Sequence, residues 1–406
     1  MQRQSAMRTL VVVAVYLVLI NTITDVALAN YMSAVDERSS AAAARQQQLI
    51  PAIFNFGDSN SDTGGLGAAF GPAPPPHGIT TFHRPSGRYC DGRLLIDFIA
   101  EELGMPYLDA YLQSVGSNFQ RGANFATAGS TIRRQNTTLA QSGFSPFSLG
   151  VQVTQFAEFK QRTLTFHSQE PFSSLLPHPH YFDDALYVVD IGQNDLTAGY
   201  FLNLTLHQVK AFIPQVLQEF EGHIKALHGQ GAKKFLITTT GPVGCLPYIL
   251  VRLPYTKTEV DEYGCAEPYN KMARAFNREL SATIHKLQRQ LPKTKFVMAD
   301  GYNLKYNLFV NAHKDGFRST VKACCGYGGG LYNFNPSLGY CGSKPREESM
   351  LKKHLSYNLC QYPSAYINWD GVHYTEAANH AMAQRLFSGN FTTPKFSVGN
   401  FCGLFA

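Results

Sequence analysis

A parallel sheet covered by helices on both faces, an α/β fold of three layers, is what this sequence predicts. Four short apolar runs read as buried strands: Ala52-Ile53-Phe54 with Phe56, Leu186 to Ile191, Phe235 to Thr239, and Phe296 to Ala299. Glycines or small polar residues stop the first three: Gly57, Gly192 and the pair Gly241-Pro242. Between the runs, apolar residues recur at helical spacing. Strands separated by helices pair in parallel through right-handed crossovers, and helices then cover both faces of the sheet.

Taken in order, residues 1–29 read as a secretory leader. Arg3 and Arg8 precede an apolar run from Leu10 to Ile20, and Ala27-Leu28-Ala29 supplies the small residues of a cleavage site. The run is shorter than the ~20 residues of a spanning helix, so no stable membrane insertion is expected once the leader is removed. An uncleaved anchor holding the chain in the Golgi lumen is the alternative. Residues 30–49 are expected to form a flexible segment, and 50–406 a single domain, since no linker divides them. The stretch 71–92, with Pro72, Pro74, Pro75 and Pro76, cannot be helical throughout. Residues 93–103 read as a helix, with Leu94, Leu95, Phe98, Ile99 and Leu103 on one face. A short strand over 123–126 ends at Gly129.

After the strand at Leu186, positions from Val209 to Leu227 follow a helical period. Pro214 is expected to kink or restart that helix, and Gly229 and Gly231 to end it. A long helix is expected near 268–290, with Met272, Phe276, Leu280, Ile284 and Leu287 inward. Phe296 to Ala299 reads as the last strand. A loop-rich region follows, dense in Tyr, Asn and Gly over 302–366, and the chain closes with a helix near 375–387.

With 406 residues and 44% hydrophobic content the chain can bury a large core. The net charge of +6 is scattered, without a Lys/Arg run, so nucleic acid is not an expected partner. Eight cysteines, an even number, agree with an oxidising compartment. Connectivity does not follow from sequence. The pairing adopted joins Cys245 to Cys265 and sets Cys324 and Cys325 against Cys341 and Cys360. No C-x-x-C spacing suggests zinc. His178-Pro179-His180 with Asp183 and Asp184 is a poor metal candidate in a Pro-rich loop. Asn136, Asn203 and Asn390 open glycosylation triplets.

The chemistry centres on the turn Gly57-Asp58-Ser59-Asn60-Ser61-Asp62, where the first strand stops, and on Trp369-Asp370-Gly371-Val372-His373. A serine hydroxyl is a weak nucleophile that needs a base within hydrogen-bond reach and a third group to orient the base. Ser59 is the candidate nucleophile and His373 the candidate base. Asp370, three residues earlier, can reach Nδ1 of His373, fix its tautomer and stabilise the imidazolium. Asp58 reads as a structural acid of the turn. A G-x-S-x-G nucleophile elbow is absent, which argues against the common α/β-hydrolase lipase type.

Phe56-Gly57-Asp58-Ser59 resembles the first block of the GDSL esterase/lipase family (SGNH hydrolases), the plant branch in particular. Gly122 to Gly129 resembles the second block, Gly192-Gln193-Asn194-Asp195 the third, and Asp370-Gly371-Val372-His373 the last. The blocks stand in family order across nearly all of the mature chain. Two positions depart from the pattern: Asn60 stands where the family's name has Leu, and Ala128 where many relatives have a second glycine. The resemblance implies a flavodoxin-like sheet and an oxyanion hole formed by the backbone N–H groups of Ser59 and Gly129 and the Asn194 amide. Read from the residues alone, Gly129 is a plain turn glycine and Asn194 a helix cap.

The expected activity is hydrolysis of carboxylic esters through an acyl-enzyme, without metal or organic cofactor, by a secreted monomer. Short-acyl esters of sugars or wall polysaccharides and acyl lipids are the candidate substrates. An acyltransferase built on the same acyl-enzyme, or an inactive secreted binding or defence protein, is the alternative.

Overall fold

Ile53–Gly57 forms strand β1 with all five residues buried, and every other strand of the main sheet is placed by reference to it. The structure is a computed structural model that describes residues 32, 50–135, 144–345 and 356–405. The leader at 1–29, the 30–49 segment apart from Met32, and Asn136 lie outside the described residues. The described residues from Ile50 onward form one compact unit.

Strand β2 (Gly122–Asn124) pairs with one side of β1 and β3 (Leu186–Asp190) with the other, both in parallel. Strands β4 (Lys234–Thr238) and β5 (Lys295–Ala299) continue the parallel ladder. The order β2-β1-β3-β4-β5 is the flavodoxin-like one that the family resemblance implied. In this order the chain leaves β1 toward β2 and then crosses back to β3. The crevice at the carboxyl ends of β1 and β3 is therefore the switch point, where open α/β sheets bind ligands.

Phe296 to Ala299 is not the last strand. Small sheets join β6 (Ser319–Ala323) to β9 (Tyr366–Asn368) and β7 (Cys325–Gly326) to β8 (Asn358–Leu359). Strand β10 (Thr392–Thr393) then adds an antiparallel edge to β5. These strands are short and made by tertiary pairing, with no apolar run to announce them.

The helices fall into two sets of neighbours. Leu149–Phe166, Gln193–Phe201, Leu206–Gly229 and Glu267–Gln290 pack together, and Leu95–Glu102, Gly301–Val310 and Glu376–Phe387 form the other group. The helix Leu206–Gly229 runs unbroken through Pro214, so the expected restart does not occur. Apolar positions on both sides of the proline, Val209, Ile213, Val216 and Leu217, are buried, and that packing carries the helix across the lost hydrogen bond. The region read as loops begins inside helix Gly301–Val310, capped by Asp300 accepting the Asn303 N–H at 3.0 Å.

Beneath β1 lies an aromatic core. Phe54 stacks on Phe182 and meets Phe156 edge-on, each at 5.1 Å, while Phe56 stacks on Phe125 at 5.3 Å. Full burial of these rings fixes where β1 ends and hence where Ser59 stands. Three disulfides, Cys245–Cys265, Cys324–Cys360 and Cys325–Cys341, realise the expected pairing, with Cys90 and Cys402 free and buried.

Candidate active site

The turn after β1 is built from its own side chains. Asp58 Oδ1 accepts the backbone N–H of Asn60 at 2.9 Å and its Nδ2 at 2.8 Å, so Asp58 is the structural acid expected and Asn60 helps to close the turn. Burial, and then the neighbouring Asp190, push the Asp58 carboxyl up to about 6. Gly57 admits no side chain, since a Cβ there would lie 2.4 Å from the Asp190 carbonyl oxygen. That close approach explains the glycine before the acid.

Three further side chains, none given a role in the sequence reading, hold this turn. Gln152, on helix Leu149–Phe166, accepts the Gly57 N–H at 2.9 Å and donates to the Gly57 carbonyl at 2.8 Å. Asp62 is fully buried and accepts the backbone N–H groups of Gly64, Gly65 and Leu66. Its Oδ2 also accepts the N–H of Ala128, on the loop after β2. Asn124 donates to the Ser61 carbonyl at 2.6 Å and to the Thr63 hydroxyl at 2.9 Å. The first two sequence blocks are thereby one hydrogen-bonded unit.

Gly129 follows with φ of +78°, a backbone shape that L side chains rarely adopt. Asn194 sits in the first turn of helix Gln193–Phe201, after Gly192, and donates to the Ser130 carbonyl at 2.9 Å. Its Nδ2 is also 3.4 Å from Asp58 Oδ2. Gly192, not Asn194, is the residue at the N-cap position. Among the described residues, no protein group accepts the backbone N–H of Ser59 or of Gly129.

The last block folds as one local loop. Asp370 Oδ1 accepts the backbone N–H groups of Val372 at 2.9 Å and His373 at 2.8 Å, and Oδ2 lies 2.6 Å from Nδ1 of His373. A carboxylate fixed by two N–H donors presents its other oxygen to the imidazole in one orientation. Burial alone would raise the Asp370 carboxyl, but His373 holds it far below the usual carboxylate range. It stays ionised.

Ser59, Gly129, Asn194, Asp370 and His373 line one cavity of about 480 Å³. Leu66, Phe144, Phe201, Phe334 and Val372 supply much of its apolar wall, and Arg252 stands there with its guanidinium 4.0 Å above the Phe201 ring. The cavity brings together every residue expected to act. Two unexpected rings join them: His77 and Tyr89, both from the Pro/Gly-rich stretch. Proline spacing marked that stretch as non-helical and gave no sign of what it covers.

Other candidates lie elsewhere. His178 meets His167 edge-on and lies tilted against His180, while Asp183 and Asp184 face Lys233 and Lys234 at 3.6 and 3.5 Å. Among the described residues, no group of three or more His, Cys, Asp or Glu is placed to hold a metal ion. Asn203 and Asn390 are both exposed. No described helix is long and apolar enough to cross a membrane.

The fold and the contents of this crevice define an ester hydrolase of the α/β class. The GDSL-like lipase/acylhydrolase family model matches residues 53–386, and the chain belongs to that family. A GDSL esterase/lipase of Arabidopsis thaliana is 50% identical over 354 residues, 87% of this chain and 92% of its own. A protein named simply esterase, from Hevea brasiliensis, is 47% identical over 87% of this chain and 89% of its own. One relative bears a different activity in its name: alpha-L-fucosidase 3 of Arabidopsis thaliana, 50% identical over 84% of this chain and 91% of its own.

Proposed function

We propose that the protein is a secreted serine esterase in which Ser59, His373 and Asp370 form the catalytic triad. The observation that carries this reading is the Asp370–His373 pair, at 2.6 Å, on the wall of the same cavity as Ser59. Asp370 holds the Nδ1–H tautomer, leaving Nε2 free to act as base. Ser59 Oγ attacks the acyl carbon while its proton passes to Nε2. The oxyanion is met by the N–H groups of Ser59 and Gly129, which no described protein group occupies, and by the Asn194 amide. The proton then passes from Nε2 to the leaving alkoxide, and water releases the acid by the same steps in reverse roles. The chemistry requires no metal or organic cofactor.

Apolar walls suit the acyl part of an ester, and two candidate substrate groups remain: short-acyl esters of sugars or wall polysaccharides, and acyl lipids. The fucosidase reading finds no support in the geometry. Glycoside hydrolysis ordinarily uses two carboxyl groups flanking the bond, and among the described residues Asp370 is the one acid on the cavity wall, already committed to His373. Export is supported by the leader at 1–29 and by the three disulfides.

Rates on p-nitrophenyl acetate and on longer-chain esters, beside acetate release from acetylated xylan or pectin, test this reading. Hydrolysis that is lost in Ser59→Ala is the expected result. Cleavage of a fucoside with no ester turnover would overturn it.

A further inference from the structure

Asp370 faces two imidazoles. His373 Nδ1 lies 2.6 Å from Oδ2, and on the other side His77 Nε2 lies 3.8 Å from the same oxygen. The His77 side chain is 5% exposed, wedged edge-on against Trp369 at 5.8 Å and Tyr89 at 6.1 Å. Its Nδ1 is 2.8 Å from the Pro74 carbonyl oxygen, which can only accept, so Nδ1 carries a proton. That assignment leaves Nε2 of neutral His77 as a bare lone pair, buried and without a hydrogen-bond partner in the structure. A buried, unpartnered acceptor turned toward a carboxylate is an unfavourable pairing, and one proton from solvent removes it.

We propose that His77 is a positioning residue that sets the acid limb of the reaction. When Nε2 takes a proton, His77 becomes a second cation on Oδ2 of Asp370 and draws that oxygen away from His373. The proposal rests on the triad reading above. Catalysis needs the whole Asp370 charge, because the imidazolium formed on His373 during acyl transfer is balanced by it. One carboxylate cannot fully balance two imidazolium ions, so a proton on His77 opposes the proton that must pass through His373.

Among the described residues, few titratable groups face His77. Asp370 and His373 come from the loop before the last helix, and Tyr89 from its own stretch. The Tyr89 hydroxyl is pushed well above its ordinary value by burial and the nearby carboxylates, so it stays neutral throughout. Trp369 does not titrate. The acid response of the site is then set by two imidazoles that share one carboxylate.

The test is the pH dependence of kcat/KM on a p-nitrophenyl ester from about pH 4 to about pH 9, for wild type, His77→Phe and His77→Gln. The midpoint of the acid limb is expected to move to lower pH in both variants. A purely structural role would change the plateau and leave the midpoint in place. If His77→Phe fails to fold, His77→Gln, which can still donate to the Pro74 carbonyl, decides the matter.

The rate of Ser59 labelling by an organophosphonate, measured across the same range, reads the limb a second way. An unchanged midpoint, or one moved to higher pH, in enzyme that still labels at Ser59 overturns the role of His77 alone. Failure to label Ser59 in wild type would instead overturn the triad on which it rests.

Discussion

Asp62 Oδ2 accepts the backbone N–H of Ala128 at 2.7 Å, and this bond ties the turn that carries Ser59 to the loop that carries Gly129. The same carboxylate accepts the N–H groups of Gly64, Gly65 and Leu66. Burial raises its pKa, opposed by those four donors. Asp62→Ala would strand them in a buried site at roughly 1–3 kcal/mol for each donor that water cannot reach. A destabilisation of about 3 kcal/mol or more in urea unfolding is the expected outcome, with Asp62→Asn intermediate.

Gln152 offers a subtler test. Its amide clamps both backbone groups of Gly57, two residues before Ser59, from a helix with no described residue on the cavity wall. Gln152→Ala frees the end of β1 and lets Ser59 drift. Misplacement of a nucleophile by about 1 Å costs on the order of 100-fold, so kcat should fall roughly 10- to 100-fold with far less change in KM. Steady-state kinetics on one ester checks both.

Both residues show where legibility in the sequence ended. The strands at Ile53, Leu186, Lys234 and Lys295 could be read because burial on both faces demands unbroken apolar runs. The helix Leu149–Phe166 could not. Its buried face includes Gln152 and Thr163 beside Leu149, Val153, Phe156 and Phe159, and polar residues facing inward blur the helical period. Strand β10 has two residues and exists only because β5 offers an edge. Asp370 and His373 were legible because one short loop holds them. His77 was not, because only the folded chain brings it beside Asp370.

Asp195 makes stability depend on pH. It is partly buried and accepts the N–H groups of Ile132 and Arg133, yet desolvation pushes its carboxyl up to about 7. The folded chain therefore binds this proton more tightly than the unfolded chain, and Asp195 lowers stability as pH rises from about 4 to about 7. Each pH unit across that window is worth at most ~1.4 kcal/mol from this group. Comparing the unfolding free energy of wild type with Asp195→Asn, wild type should lose ground to the variant by about 2–4 kcal/mol over the window. A flat difference would show that Asp195 does not titrate there.

The disulfides bear on activity as well as stability. Cys324 and Cys325 donate their backbone N–H groups to the carbonyls of Asn368 at 3.0 Å and Trp369 at 2.7 Å, immediately before Asp370. Their sulfurs, with Cys341, pack around Trp369. Removing one bridge typically costs about 2–5 kcal/mol. The pair Cys324→Ser with Cys360→Ser should lower the melting temperature and reduce kcat together, because the loop that aims Asp370 rests on this cluster. Loss of stability with unchanged kcat below the transition would separate the two.

The central claim is that Ser59 is the nucleophile served by His373 and Asp370. Its most direct measurement is the site of covalent labelling by an organophosphonate, located by mass spectrometry of the digested protein. The expected result is one adduct on Ser59, lost in Ser59→Ala together with ester turnover and slowed in His373→Ala. An adduct on another residue, or undiminished turnover in Ser59→Ala, would contradict the account.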